Sequence, residues 1–128
     1  MHVEVGRVSL EEIEPGGLVP EDTATVAARV GAARERQVVR QACLNARLDA
    51  ASLARTCVLD PAAKQLLGRA MHQLGYSARA YHRVLRVART IADLADSGIV
   101  LTTHVAEAVT LRQLDRRTQG AGFESASP

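Results

Sequence analysis

One long amphipathic stretch, residues 77–95, constrains the fold of this chain more than any other segment. At intervals of about 100° around a helix axis, its apolar side chains gather on one broad face. Ser77 is a favourable N-cap, and Gly98 can supply the left-handed residue that closes the helix. The segment therefore predicts a helix that buries one face. The residues on that face are Tyr81, Val84, Leu85, Val87, Ala88, Ile91, Ala92, Leu94 and Ala95.

Arginines line the opposite side of this helix and begin at its N-terminus. Arg79, Arg83 and Arg86, followed by Thr90, form a narrow stripe. A cation in the first turn opposes the helix dipole at a cost of roughly 0.3–1 kcal/mol, whereas the free N–H groups there favour an anion. Arg79 is therefore a candidate phosphate contact, and the alternative is a solvated cationic face. His82 borders the stripe as a further phosphate contact or a half-exposed surface residue.

Composition favours an all-α fold. Aromatic residues make up 2% of the 128 residues, so the core must be built from small aliphatic side chains. Such side chains allow helices to approach closely, whereas a sheet favours aromatic and β-branched residues. We expect one domain containing a bundle of about four to five helices. The net charge of +2 is too small to indicate nucleic-acid binding by itself.

Local signals divide the N-terminal part of the chain. Residues 2–5 alternate as a short strand does, and the segment that follows up to residue 20 is a connector rich in glycine, proline and acids. A long helix is expected over residues 21–45, with Glu21 and Asp22 in its first turn.

That helix presents two faces of different character. One is a discontinuous apolar face, and the other carries Arg29, Arg36 and Arg40. These arginines form either a solvated face with local ion pairs or a surface that contacts DNA or another subunit. The apolar residues are Val26, Val30, Ala33, Val38 and Ala42.

The rest of the chain predicts three further elements besides the arginine-bearing helix. Residues 50–57 form a short helix, and residues 60–75 form a longer one with an aspartate cap and proline at the first helical position. A last helix, capped by Thr102 or Thr103, is expected to end near residue 114. The glycine- and serine-rich residues 118–128 are expected to be disordered.

The sequence contains no complete catalytic site: it has neither a phosphate-binding glycine loop nor a serine, histidine and aspartate constellation. Cys43 and Cys57 are interpreted as reduced core residues, and no histidine has metal-ligand spacing with them, so no metal site is predicted. Asp93 is expected to pair with Arg89 on the surface. Without a signal peptide or an apolar run of about 20 residues, the chain is expected to be cytoplasmic, with no membrane partner.

Several blocks of sequence carry a resemblance to a known family. The main block is residues 76–94, Tyr-Ser-Ala-Arg-Ala-Tyr-His-Arg-Val-Leu-Arg-Val-Ala-Arg-Thr-Ile-Ala-Asp-Leu, and the others are residues 104–108, residues 112–115, residues 33–37 with Arg40 and Asn45, and residues 2–5. Together they resemble the C-terminal domain of the magnesium chelatase-like AAA+ ATPases of bacteria, the ComM or YifB type linked to DNA uptake. The resemblance covers nearly everything from residue 2 to residue 117.

The resemblance implies a helical lid domain over residues 21–117, with residues 1–20 as the last strand of an ATPase core and its connector. It implies that Arg79 is the sensor 2 arginine, which contacts the terminal phosphates of ATP held by that core. Arg83, Arg86 and His82 receive no such assignment and remain secondary candidates.

The resemblance also implies that the parent protein is an ATPase that uses ATP and Mg²⁺. The parent is expected to form a ring, hexameric by analogy, that remodels DNA in natural transformation. The fragment alone is expected to be neither an enzyme nor a cofactor-binding protein, and its partners are its own core and neighbouring subunits. The alternatives are a non-specific DNA-binding module and the lid of a true metal chelatase ATPase subunit.

Overall fold

A computed structural model describes residues 3, 5–8 and 20–120, with side chains up to residue 113 in the last helix. The described residues form helices and turns and no strand, which confirms the predicted all-α bundle. Of the predicted strand at residues 2–5, residues 2 and 4 lie outside the described residues, and residues 121–128 lie outside them entirely. The elements are α1 (Thr23–Gln41), the 3₁₀ helix η1 (Asn45–Arg47), α2 (Ala50–Thr56), α3 (Pro61–Leu74), α4 (Ala78–Leu94) and α5 (Thr102–Gly120).

The arginine-bearing helix α4 is the centre of the bundle. It contacts α1, η1, α2 and α5, while α3 packs against α5. A parallel bridge between Leu59 and Val100 ties the α2–α3 link to the α4–α5 link. Its hydrogen bonds run from Val100 N to Val58 O (2.8 Å) and from Asp60 N to Val100 O (3.0 Å). The core residues are Leu48, Leu53, Cys57, Ala63, Leu67, Val84, Leu85, Ala88, Ala92, Val100, Val105 and Ala108.

Side-chain caps fix where four helices begin. Asp22, Asp49, Asp60 and Ser77 each accept a hydrogen bond from a backbone N–H of the first turn. The predicted starts at Asp60 and Ser77 are confirmed. The prediction for α1 was wrong in register, because Asp22 is the cap and does not lie in the first turn.

The last helix begins without a threonine cap. Thr102 and Thr103 are already helical, and the N–H of Leu101 donates to Nδ1 of His104 at 3.1 Å. The His104 side chain thus accepts from the N–H of the residue just before the helix, as the third helical residue does in a capping box. The helix also extends to Gly120, so residues 118–120 belong to it and not to the tail that we predicted as disordered.

The end of α4 differs from the prediction that Gly98 closes it. The left-handed residue is Asp96, with φ 56°. The N–H of Ser97 donates to Ala92 O (2.8 Å) and that of Asp96 to Asp93 O (3.3 Å), the two bonds of a Schellman motif. Aspartate is among the few residues that tolerate this backbone region, so the helix ends two residues earlier than the glycine suggests.

Burial on α1 and α4 also departs from the predicted faces. Only Ala33 and Gln37 are buried on α1, because this helix rests on α4 by one narrow edge. On α4, Leu94 is exposed, whereas Arg89 and Asp93 are each 1% exposed. The apolar period located the buried face of α4 but could not show that its last turns bury a charged pair.

Candidate phosphate-contact site

Arg79 lies in the first turn of α4, two residues after the Ser77 cap. The Ser77 hydroxyl accepts a hydrogen bond from the N–H of Ala80 at 3.3 Å, and the first turn contains no acidic residue. The Arg79 side chain is exposed. Within the described part of the chain it makes no hydrogen bond or ion pair. Its guanidinium is therefore available to an anion supplied from outside this domain.

Arg83 and His82 lie one turn further along α4. Arg83 is exposed and borders a groove of about 660 Å³ between α4 and α5. The half-buried His82 packs edge-on against Tyr81, with ring centroids 5.5 Å apart and planes at 67°. Both side chains are close enough in sequence to Arg79 to share its surroundings, and their roles stay predictions.

The arginine stripe turns inward at Arg86. Its Nε and Nη2 atoms donate to the backbone oxygen of Leu48 at 3.2 and 2.6 Å, so the side chain fixes η1 on α4. Thr90 Oγ1 donates to Arg86 O at 2.8 Å and accepts from Asn45 Nδ2 at 3.1 Å. The four residues of the predicted stripe thus divide into an exposed half and a half that holds the bundle together.

The three arginines predicted as a DNA or subunit surface on α1 are engaged within the chain. Arg29 forms a solvent-exposed pair with Glu21 at 2.7 Å, which fits the alternative of a solvated face. Arg36 pairs through Nε with Asp96 at 2.6 Å and donates through Nη1 to the backbone oxygen of Asp93 at 2.9 Å. Arg40 donates to both carboxylate oxygens of Asp93, at 2.6 and 3.1 Å. Two of the three therefore fasten α1 to the end of α4.

Asp93 is the centre of this buried cluster. Arg89 donates to its Oδ1 through Nε (3.2 Å) and Nη2 (2.9 Å), and Asn45 Nδ2 donates to its Oδ2 at 2.8 Å. Arg89 also donates to the backbone oxygens of Gly98 (2.9 Å) and Ser97. The predicted Arg89–Asp93 pair forms, but it is buried and not on the surface. One sequence signal could have indicated that Asp93 has more than one partner. A carboxylate in the last turn of a helix opposes the dipole and needs cations nearby to offset the unfavourable interaction.

The surroundings of Asp93 shift its pKa. Burial alone would raise this pKa, but hydrogen bonds from Arg40 and Asn45 and the charges of Arg89 and Arg40 outweigh it. The pKa is therefore lowered from its ordinary value of 3.8. A carboxylate with a lowered pKa in the folded state stabilises the fold above its unfolded pKa, and this contribution is lost as the pH falls through the folded pKa.

Acidification is therefore expected to weaken the cluster. As the pH falls from about 6 to about 3, the unaltered chain should lose more unfolding free energy than the Asp93→Asn variant, which has no carboxylate to protonate there. Urea unfolding at the two pH values measures this difference. Equal losses in the two proteins would mean that Asp93 has the same pKa folded and unfolded.

Both cysteines are free thiols. Cys57 is buried in the core and its Sγ lies 3.8 Å from Leu85 O, and burial raises the pKa of its thiol to about 11. Cys43 is half-buried against the core. These positions agree with the predicted structural role. Among the described residues, no group of histidine, cysteine and acidic side chains could hold a metal ion, and none of the helices they form has the length and apolarity to span a membrane.

Comparison with known proteins adds a family match to this geometry. Residues 20–112 match the family described as magnesium chelatase, subunit ChlI C-terminal. The chain is 47% identical to the uncharacterized protein YifB of Escherichia coli (strain K12) over 96 residues, and the aligned region covers 75% of this chain and 19% of that protein. It is 35% identical to competence protein ComM of Haemophilus influenzae over 119 residues, and that alignment covers 93% of this chain and 23% of the relative. The chain thus spans about a fifth of the length of these relatives.

Proposed function

The chain belongs to the family of magnesium chelatase subunit ChlI C-terminal domains, and we propose that it is the helical lid of an AAA+ ATPase whose Arg79 contacts the terminal phosphates of ATP. The observation that carries this proposal is an exposed arginine in the first turn of α4 with no partner among the described residues. Every other arginine of α4 except Arg83 is held by internal hydrogen bonds.

Physical chemistry supports a phosphate as the missing partner. The first N–H groups of a helix lack intrahelical acceptors and favour negative charge. A guanidinium offers a planar fork of donors that matches two phosphate oxygens. When a phosphoryl group is transferred, negative charge spreads over its oxygens, and a fixed cation stabilises that charge most. Arg79 would supply this cation once the core presents ATP and Mg²⁺ to the N-terminal end of α4.

The remainder of the parent protein follows from the same proposal. An upstream core would hold ATP and Mg²⁺, and copies of the protein would form a ring, hexameric in the AAA+ manner, in which this lid contacts its own core and a neighbouring subunit. The task that we propose for the ring is DNA remodelling during DNA uptake, in the cytoplasm, and the relative named competence protein ComM supports a role in competence. Metal chelation is the alternative task, and the name of the matched family favours it.

Chemical protection of Arg79 tests the contact directly. The full-length parent is treated with phenylglyoxal, which modifies accessible guanidinium groups, with and without a non-hydrolysable ATP analogue and Mg²⁺. With nucleotide about tenfold above its Kd, the unoccupied fraction falls to about a tenth, so modification of Arg79 should slow by about tenfold. Mass spectrometry of the Arg79 peptide measures the rate.

Two arginines of the same domain are internal controls. Arg34 on α1 and Arg69 on α3 are exposed and, within the described part, unpaired. Their modification rates should not change with nucleotide. If Arg79 reacts at the same rate in both conditions while the nucleotide is bound, it does not contact the phosphates.

A further inference from the structure

A second concave site lies where the end of α1, η1 and α2 meet. Its volume is about 340 Å³, and neither Arg79 nor Arg83 contributes to it. We call it the basic pocket. Its lining residues are Arg40, Gln41, Cys43, Arg47, Leu48, Asp49, Ser52, Arg55 and Thr56.

The charges of the basic pocket favour an anion. Arg40, Arg47 and Arg55 line it against the single carboxylate of Asp49. That carboxylate is engaged as the cap of α2, accepting from the N–H of Ser52 at 2.7 Å. Arg40 is paired with Asp93, so it contributes positive charge to the pocket while its donors are engaged. The Arg47 side chain is exposed and makes no hydrogen bond or ion pair within the described residues.

Hydrogen bonding gives the pocket the same preference. Two of its backbone acceptors are occupied, since Leu48 O accepts from Arg86 and Cys43 O accepts from Gln41 Nε2 at 3.0 Å. The guanidinium donors of Arg47 remain available. Arg55 Nη2 donates to Ser52 Oγ at 3.0 Å, which leaves the hydroxyl hydrogen of Ser52 free to donate elsewhere. A concave surface with free cationic donors suits a phosphate group.

We propose that the basic pocket binds a phosphate group, through the guanidinium groups of Arg47 and Arg55 and the Ser52 hydroxyl. A phosphodiester of a nucleic-acid strand and a free phosphate ion share this chemistry. The proposal does not depend on Arg79, because the pocket lies on other elements. Arg36 and Arg40, which we predicted as possible DNA contacts, are engaged with Asp96 and Asp93. Arg47 and Arg55 are exposed and can take that role.

Binding of a fluorescent single-stranded oligonucleotide to the 128-residue chain tests the proposal. The Arg47→Gln/Arg55→Gln double variant should bind about tenfold more weakly at low salt, because it lacks two charge-assisted contacts. The slope of log K against log salt concentration should fall by about 0.7, because the variant loses its contact with one phosphate of the strand. Fluorescence anisotropy at several salt concentrations measures both quantities, and circular dichroism verifies the fold.

The matched control is Arg34→Gln/Arg69→Gln, which removes the same charge from exposed positions outside the pocket. An equal loss of binding in both double variants would overturn the proposal, because it would mean that the oligonucleotide binds a diffuse cationic surface.

A second experiment titrates inorganic phosphate and follows the Ser52 amide by NMR. A shift that saturates with phosphate, abolished in the Arg47/Arg55 variant, with no oligonucleotide binding would support the pocket with a free phosphate as its ligand. If neither probe binds in a manner that depends on these arginines, the proposal fails.

Discussion

Replacing Asp93 by asparagine is expected to lower the free energy of unfolding by about 3–5 kcal/mol, the usual cost of removing one partner from a buried ion pair. Asp93 and Arg89 are each 1% exposed. The substitution keeps the shape of the side chain but leaves the Arg89 cation buried without its carboxylate. Arg40 also loses the acceptor that anchors α1 to α4. Urea denaturation of the two proteins at neutral pH measures the difference.

The matched control is Asp96→Asn in the same cluster. Asp96 pairs with Arg36, but its side chain is 74% exposed, so the loss should be below about 1 kcal/mol. Asparagine also tolerates the left-handed backbone at this position, so the Schellman motif is preserved. Similar losses for the two variants would contradict the claim that burial of Asp93, and not its charge alone, makes the cluster stabilising.

The Asp93 cluster shows where prediction from the sequence stops. The spacing of Arg89 and Asp93 predicted the pair, because residues four apart on a helix are neighbours. Its burial depends on α1, whose Arg40 reaches Asp93 across 53 positions of sequence. No local period carries that information. The exposed valines of α1 are a second example, because an apolar helix face in the sequence does not predict which of its residues other helices will cover.

Local sequence signals predicted helix starts correctly where neighbouring residues alone determine the cap. Asp60 with Pro61 and the Ser77 cap each fixed a helix start, because capping involves only neighbouring residues. Gly98 misled us, because Asp96 adopts the left-handed conformation two residues earlier. The candidate site was predictable for a similar reason, since the position of Arg79 just after a cap is a local property, whereas the internal contacts of Arg86 with Leu48 are not.

Replacing Arg79 by alanine in the full-length parent is expected to reduce ATP turnover by about 100-fold or more, as the loss of one preorganised group that stabilises transition-state charge does in other enzymes. The effect should fall mainly on kcat, because the charge that Arg79 is proposed to meet grows during phosphoryl transfer. Arg79→Lys should recover part of the rate, since it keeps the charge but loses the planar fork.

The stability of the domain should not fall with Arg79→Ala, because the side chain is exposed and makes no hydrogen bond or ion pair within the described residues, and the substitution removes a cation that opposes the helix dipole. This separates a role in the reaction from a role in the fold, since a structural residue would lower both the unfolding free energy and the turnover. Arg69→Ala removes an equally exposed charge from α3 and should leave the turnover unchanged. Steady-state ATPase assays of the three variants and the unaltered parent make the comparison. If Arg79→Ala hydrolyses ATP as fast as Arg69→Ala, the guanidinium at the start of α4 has no part in the chemistry, and its exposure needs another explanation.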